Sequence, residues 1–286
     1  MKKKVWIMCD YSQAEIRVAA WKGPIPAMKT WFQRGEDIHI NVARLIGKVV
    51  HEAKVDMPFI KGSREMLWRR KPPEELNADD KTDNENERDL SKRTVHANTN
   101  GMWKNRFALI TGLPVPIAGI VQDTYHGLFP EIRGNYHKGI QNEVLSNGGT
   151  LVNPWGWPRT FYKINPFTGT YDEDELRVMY AWYPQSTIGM LTVKAWTEMC
   201  SIFEGIYTPR LWKPSEIVRL GLDCRLQVHD LVGVSCEDDP VAIRETATQM
   251  KKCGEIPMVI NNEELIVPMD FKVGPSWGEM KKYVLQ

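Results

Sequence analysis

An apolar run, Val5-Trp6-Ile7-Met8, leads through Cys9 to a carboxylate, Asp10, and then to Gln13, Glu15 and Arg17. Far along the chain, Leu226-Gln227-Val228 and Leu231-Val232-Gly233-Val234 flank a second polar pair, His229-Asp230. A lone Asp after a strand is ordinarily a turn or helix-cap residue. Two Asp residues abutting strongly apolar strands fit that role less easily, because burying an unpaired carboxylate costs several kcal/mol. A divalent cation shared by Asp10 and Asp230 removes that cost. Such a pair suits two-metal phosphoryl transfer.

A second pattern is cationic. Arg88, Lys92, His96 and Asn100 recur every four residues. On a helix each such step drifts about 40° and rises about 6 Å, so neighbouring members share a face. Arg88 and Lys92 then present two permanent cations at the spacing of successive phosphates. Arg grips phosphate bidentately, whereas Lys acts as a point charge. The same row also reads as a solvated charged face, with Glu85 and Glu87 available to pair with it.

These residues need strands and helices to place them. Residues 5–20 read as a strand entering a short helix, and 28–50 as one or two amphipathic helices. The stretch 71–87 is almost devoid of apolar residues and reads as a solvated loop or insertion, with a helix following from Glu87 to Ala97. Leu113-Pro114-Val115-Pro116 marks a break before helical patterning to Leu145. Gly148-Gly149 opens a hairpin through Tyr162, restricted by Pro154 and Pro158 to an edge or turn. Thr187–Phe203 reads as an apolar helix beginning at Pro184-Gln185-Ser186. The strand pair around His229-Asp230, a helix at Pro240–Cys253 and a strand at Val267–Val273 complete the chain.

At 286 residues, 42% hydrophobic and 26% charged, the composition is that of a soluble globular protein. The net charge of +1 carries no global sign of a nucleic-acid partner, so that case rests on local clusters. No apolar run approaches the roughly 18–20 residues that span a bilayer. Met1-Lys2-Lys3-Lys4 imitates a signal peptide, but Asp10 cuts the apolar segment short. Cys9, Cys200, Cys224, Cys236 and Cys253 show no Cys-x-x-Cys, which argues against a disulfide framework or zinc site and for a reducing cytoplasm.

Taken together these segments resemble the core of family A (DNA polymerase I-like) DNA polymerases, particularly the bacteriophage-type branch. Asp10-Tyr11-Ser12-Gln13-Ala14-Glu15-Ile16-Arg17 resembles the first palm motif, and Gly35-Glu36-Asp37-Ile38-His39 the Asp-Ile-His segment that follows it. Arg88-x3-Lys92-x7-Asn100-Gly101 has the spacing of the fingers motif. Pro184-Gln185-Ser186-Thr187, Val228-His229-Asp230 and Lys272-Val273-Gly274-Pro275-Ser276-Trp277-Gly278-Glu279 resemble the later palm segments and the C-terminus. The matches run in the family's order along nearly the whole chain.

The resemblance implies an α+β fold, an antiparallel palm sheet with flanking helices interrupted by a mainly helical fingers insertion. Palm would cover residues 1–20 and 148–286, and fingers 21–147. It implies template-directed DNA synthesis, nucleotidyl transfer from dNTP to a primer 3′-hydroxyl. Asp10 and Asp230 would hold two Mg²⁺ ions, and Lys92 would join them as a catalytic residue. Arg88, Lys92 and His39 would bind the triphosphate; His96, Asn100, Gln13 and Glu15 would contact the rest of the nucleotide, Glu15 crowding the sugar 2′ position. Arg17, Arg159, Gln185 and His229 would touch the primer–template duplex. The host-cell cytoplasm of a bacterium is the expected location if the gene is phage-borne.

Three departures accompany the resemblance. Asn100 stands where the family pattern has Tyr, removing an aromatic platform worth about 1–3 kcal/mol per stacked base. Leu231 follows Asp230 where many relatives carry a second acid. The chain also begins almost at the first palm motif, with no counterpart of a thumb or an exonuclease. The expectation is therefore the C-terminal part of a split polymerase, completed by a second polypeptide. The alternative is a catalytically weak DNA-binding replication component derived from a polymerase. A metal-dependent nuclease built on the same two Asp residues fits less well, because it has little use for a triphosphate-binding face.

Overall fold

The computed structural model describes residues 3–52, 81–163, 170–204 and 223–285. Most of the polar stretch 71–87 lies outside the described residues. The chain opens with β1 (Lys4–Tyr11), α1 (Ala14–Lys22), α2 (Pro26–Gln33) and α3 (Ile38–Glu52). Next come α4 (Lys81–Thr99), α5 (Lys104–Thr111), α6 (Val115–Leu128), a π-helical turn (Ile132–His137) and α7 (Lys138–Ser146). The hairpin β2 (Thr150–Val152) and β3 (Pro158–Thr160) precedes a long helix, α8 (Glu173–Glu204). The chain ends with β4 (Asp223–Val228), β5 (Leu231–Glu237), α9 (Pro240–Gly254), β6 (Met258–Ile260), β7 (Glu263–Leu265), β8 (Met269–Gly274) and β9 (Lys281–Tyr283). The class is α+β, as expected.

Two compact units emerge: Met1–Glu15 with Asn153–Trp157 and Gln185–Gln286, and Ile16–Val152 with Pro158–Pro184. The expected segment limits, after residues 20 and 147, differ from this division. It falls after Glu15 and, following the excursion of Asn153–Trp157, after Pro184.

The first unit is built on a sheet in the order β4-β5-β1-β8-β9. β1 lies at its centre, antiparallel to β5 on one side and β8 on the other. Alternation along β1 separates the two faces. Val5, Ile7, Cys9 and Tyr11 are buried, and the Tyr11 hydroxyl donates to the Gly254 carbonyl of α9 at 2.8 Å. A Cβ at Gly254 would overlap the Met269 thioether, so that side chain would have to shift to admit one. The other face carries Trp6, Met8 and Asp10 on β1, with Asp270 and Lys272 opposite them on β8. Strands β6, β7 and β9 were not foreseen; the first two form a short hairpin apart from the main sheet, and β9 follows the expected last strand.

The second unit is mainly helical. Ile38, Val42 and Ile46 of α3, Leu90 and Val95 of α4, and Val121 and Tyr125 of α6 form its core. The Tyr125 hydroxyl and Thr99 Oγ1 share a hydrogen bond of 3.1 Å inside it. α4 is longer than the sequence suggests: Lys81 to Glu87, read as loop, already belong to it.

The largest correction concerns α8, which begins at Glu173 rather than at Pro184. Pro184 sits inside it, where it cannot donate to the carbonyl four residues back. That carbonyl belongs to Tyr180, and the Tyr136 hydroxyl donates to it at 2.6 Å. A residue of the π-helical turn thus replaces the bond that proline removes. The Tyr180 ring also stacks on His137 at 4.0 Å, and its hydroxyl accepts from Gln141.

Three histidines of this unit are held neutral. Burial pushes His39 and His126 down to about 3 and His137 to about 4, with neighbouring cations adding to the effect and only the Thr99 carbonyl opposing it at His137. Asp37 partly opposes it at His39. A base depressed on folding contributes stability above its unfolded value, near 6.5, that is lost as pH falls toward its folded value. Each such proton steepens the loss by up to about 1.4 kcal/mol per pH unit. Urea denaturation at pH 7 and pH 5 should show a marked drop in stability at the lower pH. His137→Gln should flatten that dependence.

Candidate functional site

Asp10 is the penultimate residue of the central strand, on the face away from α9, and its register partners are Leu231 on β5 and Asp270 on β8. β4 and β5 join through His229-Asp230 alone, because Val228 already pairs with Leu231. His229 adopts φ 53°, a left-handed conformation that costs a residue other than glycine about 1–2 kcal/mol. The tight turn brings the Asp230 carboxyl into hydrogen-bonding contact with Asp10. Residues separated by 220 positions thus meet at the end of the sheet.

Asp10 is exposed and Asp230 half-buried; partial desolvation at the strand end, then the charge of Asp230, pushes the Asp10 carboxyl up to about 6. Lys272 opposes the shift and Asp270 adds to it. Asp270 and Lys272 were missed by sequence reasoning. Alternation in Met269-Asp270-Phe271-Lys272-Val273 puts both on one face, but nothing in the sequence pairs that strand with β1. Among the described residues, no group of three or more His, Cys, Asp or Glu side chains is arranged to hold a metal ion. The Asp10–Asp230 pair itself suits a hard divalent cation, which takes one or two carboxylates and keeps several waters.

Gln13, Glu15, Gln185 and His229 belong to the same unit. Gln13, at φ 51°, reverses the chain between β1 and α1, and Glu15 lies in the first turn of α1. His229 and Gln185 are exposed. Next to Gln185, the Thr187 carbonyl accepts from Trp155 Nε1 at 2.9 Å, and Ser186 accepts from Asn153 at 3.3 Å.

In the helical unit, the structure gathers His39, Arg88, Lys92 and His96. Lys92 is exposed and Arg88 half-exposed, on the same face of α4. His39 is 2% exposed, its ring stacks on His96 at 5.7 Å, and its Nδ1 is buried without a hydrogen-bond partner. Arg88 donates through Nε and Nη2 to Asp37 Oδ2, at 3.0 and 2.8 Å. Burial would raise the Asp37 carboxyl, but the hydrogen bonds and charge of Arg88 hold it below the usual carboxylate range. Asn100 lies just past α4, its amide donating to the His96 carbonyl at 3.0 Å. It lines a cavity of about 860 Å³ with Trp103, Leu109 and Arg177, the Arg177 guanidinium 5.3 Å from the exposed Trp103 ring.

Two cations do not join this cluster. Arg17 is buried, with its guanidinium 4.3 Å from the Phe32 ring. Arg159 is exposed on β3, 5.2 Å from the Phe161 ring.

No family model and no curated protein matches this sequence. Among solved structures, the chain is similar to the polymerase (POL) domain of Pol1 from M. smegmatis, solved in complex with a DNA primer-template and dNTP. The TM-score is 0.66 at 18% sequence identity, over 96% of this chain and 40% of that one. The fold is therefore polymerase-like, and the chain spans less than half the length of that neighbour.

The raised Asp10 carboxyl gives a stability test in the absence of divalent cations. An acid raised on folding contributes stability below its unfolded value that is lost as pH rises through its folded value, here about 6. Asp10→Asn removes the like-charge contact, so thermal unfolding in EDTA should occur at higher temperature in this variant than in wild type at pH 8. At pH 4.5 the gap should narrow.

Proposed function

We propose that this chain performs template-directed nucleotidyl transfer from a dNTP to a primer 3′-hydroxyl, as in phage-type family A polymerases. The observation that carries the proposal is the meeting of Asp10 and Asp230 at the end of the sheet. The neighbour's primer-template and dNTP support it by likeness of fold.

Asp10 and Asp230 would hold Mg²⁺, as a pair of ions. Bound there, the metal would lower the pKa of the 3′-hydroxyl and neutralise phosphate charge. The chain's own residues do the rest. The left-handed turn at His229 fixes the direction of Asp230, and Lys272 offsets part of the negative charge gathered there. Lys92 offers an exposed point charge to the triphosphate and to the departing pyrophosphate. Arg88 presents those N–H groups not engaged by Asp37. His39, buried and neutral, orients His96 by stacking. Glu15 limits the space at the sugar 2′ position, while Gln185, His229 and Arg159 follow the duplex without reading sequence.

The reading includes a second polypeptide that supplies the remaining grip on duplex DNA. A second reading, a DNA-binding component with little catalysis, draws on Leu231 and Asn100, which lack the acid and the aromatic ring of the family pattern.

Primer extension with dNTPs and Mg²⁺, with and without a co-purifying partner, separates the two. Asp230→Ala should cut the rate by at least about a hundredfold while leaving duplex binding intact. Binding without extension in wild type under every condition would establish the second reading. Lys92→Ala should raise KM for dNTP by about tenfold, with little change in duplex affinity. Glu15→Ala should lower the preference for dNTP over rNTP; an unchanged ratio would remove Glu15 from the sugar site.

A further inference from the structure

The Asp37 carboxylate serves two elements at once. Its Oδ1 accepts from the backbone N–H groups of His39 and Ile40, at 2.8 and 3.2 Å, and so caps the N-terminus of α3. Its Oδ2 accepts from Arg88 Nε and Nη2 on α4. One side chain thereby fixes the start of the helix that carries His39 and the guanidinium of Arg88.

The geometry uses only part of the guanidinium. Arginine has five N–H donors in a rigid plane, and Asp37 takes Nε–H and one N–H of Nη2. Of the remaining three, one N–H of Nη1 and the second of Nη2 form the outer edge of the fork, and the other Nη1 N–H points back along the side chain. That edge can receive two phosphate oxygens while the inner edge stays on Asp37. The Arg88 side chain is 40% exposed and that of Asp37 26%, an arrangement open enough for the outer edge to meet a ligand. Stability alone gives little reason for such a pair, because half-exposed ion pairs contribute modestly.

We infer that Asp37 is a positioning residue for phosphate recognition: it holds Arg88 by one edge, turns the other outward, and locks that direction to the helix carrying His39. The inference rests on the reading of Arg88 and Lys92 as a triphosphate-binding face. It assigns a role to the one acidic side chain of the Asp37-Ile38-His39 segment, in which His39 alone had been given one. Without the carboxylate, Arg88 keeps its charge but loses its fixed orientation, and each phosphate contact must then order a free side chain.

The test is isothermal titration of the full chain with tripolyphosphate and, separately, with dATP in the presence of Mg²⁺. Asp37→Asn and Asp37→Ser each retain a capping acceptor for α3 but have no charge for Arg88. Both should melt close to wild type and bind tripolyphosphate about tenfold more weakly. In primer extension the same variants should raise KM for dNTP more than they lower kcat. In an Arg88→Lys background, Asp37→Asn should add little further loss, because the fork it orients is gone. Asp37→Ala should lose phosphate affinity and melt at a lower temperature.

Unchanged or tighter tripolyphosphate binding in the Asn and Ser variants would overturn the inference, the latter by showing that Asp37 competes with phosphate. Loss confined to Asp37→Ala, or failure of both capped variants to fold, would assign Asp37 to the helix cap alone and equally overturn it. Wild type that binds neither tripolyphosphate nor dATP would instead remove the triphosphate face itself, and with it the reading on which this inference depends.

Discussion

Two like charges held side by side are the constraint around which the sheet unit is arranged. Asp10 sits at the end of the central strand with a neighbour on each side, so its position is set by two antiparallel registers at once. Asp230 is set by a turn too short to let its strands slip, at the expense of a left-handed histidine. A one-residue shift in either pairing would send Asp10 to the helix-covered face. Repulsion between the carboxylates is therefore maintained by the pairing of β1, β5 and β8. Strain and crowded charge of this kind gather where a structure serves chemistry rather than stability.

The helical unit meets a different constraint, the obligation to satisfy buried backbone groups. Pro184 deletes a bond in the middle of α8, and the buried Tyr180 carbonyl that it orphans accepts from Tyr136 instead. Tyr136 reaches that carbonyl from a π-helical turn, whose extra residue shifts the register of side chains that follow. Gly23 packs directly against the Tyr136 backbone and Cβ, leaving no room for a side chain of its own. One hydrogen bond from that turn thus accounts for the tolerance of a proline inside α8.

Much of this was legible in the sequence where the signal is local. The apolar strand before Asp10, the two-residue gap between Val228 and Leu231, and the amphipathic pattern of Ile38 to Ile46 each report a nearby contact. The features missed depend on long-range partners. Pro184 looks like a helix start because its compensating donor lies 48 residues earlier, and a proline at a first turn is the commoner arrangement. Asp270 and Lys272 look like outward residues of a last strand until β8 is paired with β1. The extension of α4 back to Lys81 was hidden by a run of Asp, Asn and Glu that carries no apolar periodicity.

Asp37 illustrates how a residue legible in type can stay opaque in role. Its residue type, an acid before Ile38-His39-Ile40, suits a helix cap, and the structure uses it as one. Its second bond, to Arg88, joins residues 51 positions apart and cannot be inferred from spacing. The consequence is physical rather than decorative. A cation row on a helix face is, taken alone, a set of flexible side chains that lose entropy on meeting a ligand. Tying Arg88 to a capped helix end removes that freedom in advance for one member of the row and leaves exposed Lys92 to adapt. Preorganising a planar donor while leaving a point charge mobile matches the separate strengths of the two side chains, directional grip for arginine and charge at variable reach for lysine.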